Sequence, residues 1–161
     1  MKKLFLKVCI FLAAVNLSAM GIGPQLDFSI NFDNKVSENA GISCSIKTDN
    51  QPFVIGVATD YNYIENIFDA YITCDYWIFN PAIGNYSYFF AGAGIMAGSS
   101  IKSANVTFNA APRIITGINW IFYDGFLEYF IQAALQPEIQ LGKKSNMLLT
   151  VPVNAGIRLY F

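Results

Sequence analysis

Apolar residues recur at every second position through a series of short runs from Leu26 to the final Phe161, and a period of two belongs to strands, whose side chains alternate between opposite faces. The first run has Leu26, Phe28, Ile30 and Phe32 on one face and Asp27, Ser29 and Asn31 on the other. After the polar stretch Asp33 to Asn39, a second run sets Ile42, Cys44 and Ile46 against Ser43, Ser45 and Lys47. Beyond the turn-forming Asp49 to Pro52, Phe53, Ile55, Val57, Tyr61 and Tyr63 oppose Gly56, Ala58, Asp60 and Asn62. The fourth run follows Glu65 to Asp69 and sets Ile72, Cys74, Tyr76 and Ile78 against Tyr71, Thr73 and Asp75; Trp77 and Phe79 then point inward unless a bulge intervenes. Asn80 to Asn85 turns the chain into a fifth run, Phe89, Ala91, Ala93 and Ile95 against Phe90, Gly92 and Gly94. With Gly98 to Asn105 read as a connection, the sixth run has Ile114, Thr116, Ile118, Trp120 and Phe122 opposite Arg113, Gly117 and Asn119. It ends in Tyr123-Asp124-Gly125, a tight hairpin signal. Leu127, Tyr129, Ile131, Ala133 and Leu135 then oppose Glu128, Gln132, Gln136 and Glu138. After Gly142 to Asn146, the last run sets Val151, Val153, Ala155, Ile157, Leu159 and Phe161 against Asn154, Gly156 and Arg158. Eight strands of roughly ten residues match what crosses a bilayer when tilted, and an even count puts both termini on one side.

Alternation alone also suits a soluble sandwich. What separates the two is the polar face, made of Gly, Ala, Ser and Asn with about one charge per strand, too little to keep a soluble surface wet. The whole chain is 54% hydrophobic and 13% charged, against about a quarter charged in ordinary soluble domains. In lipid every backbone polar group needs a partner within the protein, so the sheet must close. The expected fold is therefore all-β, an eight-stranded antiparallel up-and-down transmembrane β-barrel. Side chains nearly fill the lumen of such a barrel, so inward charges should pair. Heights above the turns predict a lower cluster of Lys47, Glu128, Arg158 and Asp27 and a higher one of Arg113 with Glu138 or Asp60. Gly56, Gly92, Gly94 and Gly117 would leave room for the long inward side chains.

Residues 1–19 read as a cleavable secretory signal: Lys2, Lys3 and Lys7, an apolar stretch from Val8 to Val15, and Leu17-Ser18-Ala19 before Met20. The barrel domain is then 20–161. Removing those three lysines from the 10 basic residues leaves 7 against 11 acidic ones, which disfavours nucleic acid as a partner. Cys9 leaves with the signal, in a context that does not suit lipid attachment. Cys44 and Cys74 lie two strands apart, beyond disulfide reach, and are expected as free, lipid-facing thiols. No helical span is expected, because Asn80, Pro81, Gly84, Asn85 and Ser87 break the longest uncharged stretch, Tyr76 to Ile101.

With the N-terminus on the periplasmic side, the inner turns would be the short ones at Asp49 to Pro52, Asn80 to Asn85 and Tyr123 to Gly125. Longer outer loops would run over Asp33 to Asn39, Glu65 to Asp69, Gly98 to Asn105 and Gly142 to Asn146. Phe53, Trp77, Phe79, Tyr86, Tyr88, Trp120, Phe122, Phe126, Tyr160 and Phe161 gather beside the inner turns, as one girdle of an aromatic belt would.

The C-terminal run Val153-Asn154-Ala155-Gly156-Ile157-Arg158-Leu159-Tyr160-Phe161 resembles the terminal strand of bacterial outer-membrane barrels, and with the strand count the chain resembles the small OmpA/OmpX-like class over residues 22–161. The resemblance implies an outer-membrane location in a Gram-negative-type envelope, and a monomer among outer-membrane lipid. It also implies recognition by the barrel assembly machinery through Ile157, Leu159 and Phe161. The run Gly21-Ile22-Gly23-Pro24-Gln25 also looks like the start of small spirochaetal outer-membrane barrels. A periplasmic cell-wall-binding domain of the OmpA kind is missing from this sequence, so wall anchoring is not implied.

Catalysis lacks its usual parts. The sequence contains no histidine, the base on which barrel hydrolases and acyltransferases of this size generally draw, so Ser43, Ser99 and Ser145 read as lumen or loop residues. Gly92-Ala93-Gly94 lies within a strand with no helix after it, unlike a phosphate loop. Glu128 and Glu138, ten positions apart, would be ~33 Å apart along one strand, too far for an acid/base pair. No zinc or calcium pattern is present and no cofactor is expected. The expected role is a structural or surface-exposed barrel with a filled, charge-paired lumen and no enzymatic activity. Alternatives are a narrow, porin-like transporter for small or hydrophobic solutes, or a secreted soluble lipid-binding barrel whose apolar face turns inward.

Overall fold

The computed structural model describes residues 20–32, 36–48, 52–103, 105–141 and 146–161; the signal segment and Cys9 lie outside them. Eight strands follow in chain order: β1 (Met20–Phe32), β2 (Val36–Thr48), β3 (Phe53–Asn62), β4 (Ile67–Phe79), β5 (Ser87–Lys102), β6 (Asn105–Phe122), β7 (Leu127–Leu141) and β8 (Asn146–Tyr160). Each pairs antiparallel with the next and β8 returns to β1, closing the barrel. Closure leaves the sheet no free edge, which suits backbone that water cannot reach. At the seam Gly21 stands opposite Tyr160 and Phe32 opposite Leu149, and the amide of Phe161 donates to Met20 O at 3.4 Å.

The alternation holds around the ring. Phe28 is 56% exposed and Ile114 65%, whereas Asp27, Arg113, Glu128 and Arg158 are buried. The apolar set thus faces out and the polar set faces the axis. This overturns the alternative of a soluble barrel with its apolar face inward: the chain's interior is mostly polar, and a continuous greasy belt needs a cover outside the protein. Cys44 and Cys74 are free thiols on strand positions of the outward set, Cys44 exposed and Cys74 partly so.

Three expectations change. β1 begins at Met20, before the alternation is visible, and β5 and β6 run on until Lys102 pairs with Asn105. The connection expected over Gly98 to Asn105 is mostly ladder: small residues there resemble a loop by composition, but their neighbours supply the hydrogen bonds. The outer loops are consequently no longer than the inner turns. β3 and β4 are separated only by residues 63–66, while the segment between β4 and β5 runs over 80–86, so loop length gives no orientation. In β4 Trp77 keeps the inward parity of Thr73 and Asp75 and is 2% exposed, while a register shift between Trp77 and Phe79 turns Phe79 out. Trp77 therefore leaves the expected aromatic girdle, and Tyr160, whose hydroxyl reaches Glu128, leaves it too. Phe53, Phe79, Tyr86, Phe126 and Phe161 stay exposed at the end of the barrel where Met20 and Phe161 meet. That end is called the base below, and the opposite one the mouth.

Candidate functional site: the barrel interior

The base is built around Glu128 of β7, which has no exposed surface. Its Oε1 accepts from Lys47 Nζ of β2 at 2.9 Å and from Asn119 Nδ2 of β6 at 2.7 Å. Its Oε2 accepts from an Arg158 guanidinium nitrogen at 3.0 Å and from the Tyr160 hydroxyl at 2.6 Å. Glu128 and Arg158 stand directly opposite one another in the β7–β8 ladder, whereas Lys47 reaches across the interior. Arg158 Nε also donates to Ser45 Oγ at 2.9 Å, and its guanidinium lies 3.8 Å from the centre of the Phe130 ring. Lys47 Nζ sits 4.1 Å over the Trp77 ring, which stacks on Phe90 with centroids 3.8 Å apart. Charged and aromatic groups thus share a cross-section, each cation covered by a π face.

Next to this layer Arg113 forms an ion pair with Asp75 at 3.1 Å and donates to Gln136 Oε1 at 3.0 Å. The expected partners Glu138 and Asp60 are therefore replaced by Asp75, which the alternation put inside but the height estimate did not select. Asp27 accepts from Asn154, its cross-strand partner on β8, while Lys47 and Arg158 both pair with Glu128, so the lower cluster is centred on Glu128 and not on Asp27. Closing a sheet staggers its strands, and heights counted from each turn ignore that stagger. The inward glycines also serve other neighbours than expected: a Cβ at Gly117 would run into the Phe90 ring, and one at Gly94 into the Asp75 carboxylate. Space beside Asp75 and Arg113 amounts to about 20 Å³, room for about one water.

The mouth half differs. A cavity of about 480 Å³ lies there, with Asp60, Asp69 and Glu138 in its wall among amides and hydroxyls. Asn109 donates to Ser100 Oγ at 2.6 Å, Ser100 donates to Asp69, and Asn39 donates to the other oxygen of Asp69 at 3.2 Å. Asn62 donates to Asn39 Oδ1 at 2.8 Å, and the Tyr71 hydroxyl donates to Asp60 Oδ2 at 3.0 Å. Glu138 is met by the Gln136 amide at 3.5 Å. At the rim Lys102 and Glu65 pair at 3.0 Å, both well exposed. Of the serines weighed as nucleophiles, Ser43 is buried on the inward face, Ser99 lines the cavity and Ser145 lies outside the described residues. Among the described residues no group of three His, Cys, Asp or Glu side chains could hold a metal ion. Ile157, Leu159 and Phe161 share the outward parity at the end of the chain, with Ile157 and Phe161 exposed.

Sequence reasoning missed Asp69, Asp75, Trp77 and Phe90 as interior groups that matter. For Asp75 and Phe90 the alternation was a sufficient signal, since both sit on the polar parity. Asp69 was hidden because it was assigned to a loop, and Trp77 because apolar bulk suggested the outer girdle.

No protein-family model matches the chain, and neither does any curated protein. Among solved structures, Neisserial surface protein A is similar with a TM-score of 0.56 and 12% identity, over 89% of this chain and 99% of that one. Ail, the attachment invasion locus protein of Yersinia pestis, has a TM-score of 0.49 and 9% identity over 89% and 99%. The N-terminal β-barrel domain of Pseudomonas aeruginosa OprF gives 0.45 and 13% over 83% and 96%. None of the three bears on the spirochaetal likeness. The chain has the fold of the small eight-stranded outer-membrane β-barrels, and the outer membrane is the location that fold implies.

Proposed function

We propose that this chain is a non-conducting outer-membrane barrel with a structural or surface-exposed role and no catalytic activity. The observation that carries the reading is the saturated Glu128 carboxylate, bridged to Lys47 and Arg158 beside the stacked Trp77 and Phe90 rings. A hydrated ion crossing that layer would have to part a buried anion from two cations, which costs several kcal/mol. The non-enzymatic reading is supported by the sequence, which offers no histidine as a general base. Lipid is the partner that the outward apolar belt calls for, and the barrel is a monomer. Ile157, Leu159 and Phe161 are the residues through which the terminal strand would meet the assembly machinery. Signal cleavage before Met20 completes the reading.

Planar-bilayer recording with the purified protein tests the central claim. No steady single-channel steps are expected from the natural chain, and small ones are expected once Lys47, Trp77 and Arg158 are all replaced by alanine; steady openings of the natural chain would end the reading. The narrow-transporter alternative draws on the 480 Å³ cavity at the mouth, but needs the Glu128 layer to move aside.

A further inference from the structure

We propose that the mouth cavity is a binding site for an elongated organic cation of the diamine or polyamine class, held by Asp60, Asp69 and Glu138. Three observations converge on it. Asp60 and Asp69 stand directly opposite each other in the β3–β4 ladder, an arrangement of like charges that a sheet normally avoids because it is destabilising. Among the described residues, the donors that Asp60, Asp69 and Glu138 meet are neutral, the amides of Asn39 and Gln136 and the hydroxyls of Tyr71 and Ser100, and the nearby Lys102 is paired with Glu65. Finally, Asp60 Oδ1 and Asn109 Oδ1 have no hydrogen-bond donor among the described residues, although these residues are only 4% and 8% exposed. Both orphans are acceptors on residues of the cavity wall, and an ammonium group would supply the donors they lack together with the positive charge that the carboxylates do not meet.

The shape selects among cations. The carboxylates are too dispersed to form a metal-holding group among the described residues, whereas ammonium groups separated by methylenes can each address one of them. Met96, Leu148 and Pro152 in the wall offer contact to those methylenes. A volume of about 480 Å³ falls within the ~300–1,000 Å³ of ordinary small-ligand sites. The site lies wholly in the mouth half, so it stands whether or not the base conducts.

The test is calorimetric titration of spermidine into the full chain, purified in non-ionic detergent at low salt. Saturable binding is expected, weakened at least tenfold by Asp60→Asn combined with Glu138→Gln, and unchanged by Asp124→Asn in the base turn. Removing Asp60 relieves a repulsion, so that variant should fold; retention of a heat-modifiable gel band checks it. On the unaltered protein, spermidine should raise the unfolding midpoint, while fully N-acetylated spermidine, which keeps the methylene backbone but carries no charge, should not. Absence of saturable binding would overturn the proposal and leave the cavity to water. Equal binding of the acetylated compound, or undiminished affinity in the double variant, would overturn it too.

Discussion

Glu128 illustrates how much one inward side chain can govern. An ionised carboxylate accepts through about four lone-pair sites, and here Lys47, Asn119, Arg158 and Tyr160 occupy all four. Glu128→Gln keeps the shape but turns an NH2 toward donors and leaves two cations without their anion. Breaking a buried pair from one side costs about 3–5 kcal/mol, so the urea midpoint of the lipid-embedded barrel should fall accordingly. Lys47→Met should cost distinctly less, since Arg158 still neutralises the carboxylate. A Glu128→Gln midpoint within experimental error of the natural chain would mean that the network does not form in the membrane. Strict parity let the sequence put Lys47, Glu128 and Arg158 on one face. It could not choose Asp75 for Arg113, because which residues meet across the axis depends on the stagger of the whole closed sheet, and no single strand carries that information.

At the level of strands, period-two patterning was legible wherever bulky apolar residues marked the outward face, as in β1, β7 and β8. It failed where Gly98, Ser99 and Ser100 carry the end of β5, because small polar residues at the mouth look like turn chemistry. It also left β4 ambiguous, since a bulge after Trp77 shifts parity without a sequence mark of its own. The outward assignment has a direct consequence in β6. Ile114 lies midway along an 18-residue strand on the exposed parity, so Ile114→Arg places a charge against hydrocarbon at a cost of about 2–4 kcal/mol near the bilayer midplane. The same arginine introduced at Phe126, next to the base turn, should cost about 0–1 kcal/mol, the interfacial value. Refolding titrations in lipid vesicles would read both, and equal costs at the two positions would contradict a midplane location for Ile114.

Across the whole molecule, the interior is electrically lopsided. Lys47 and Arg158 outnumber Glu128 at the base, while Asp60, Asp69 and Glu138 gather at the mouth. Closure around this polar axis is what forces the apolar residues outward, and the two outward cysteines report on their surroundings without disturbing them. Cys44 stands mid-strand in β2 opposite Val57 of β3 and Pro24 of β1, exposed on the lipid-facing side. A thiol reacts through its thiolate, which forms in water and not in hydrocarbon. For the barrel reconstituted in lipid vesicles, a charged, membrane-impermeant maleimide should therefore label Cys44 at least tenfold more slowly than it labels the same protein unfolded in urea. A Ser103→Cys thiol at the mouth turn, which emerges into water, should react at nearly the unfolded rate. Rapid labelling of Cys44 in the folded, lipid-embedded protein would mean that water, not lipid, covers the apolar belt, and the membrane assignment of the entire cylinder would fall with it.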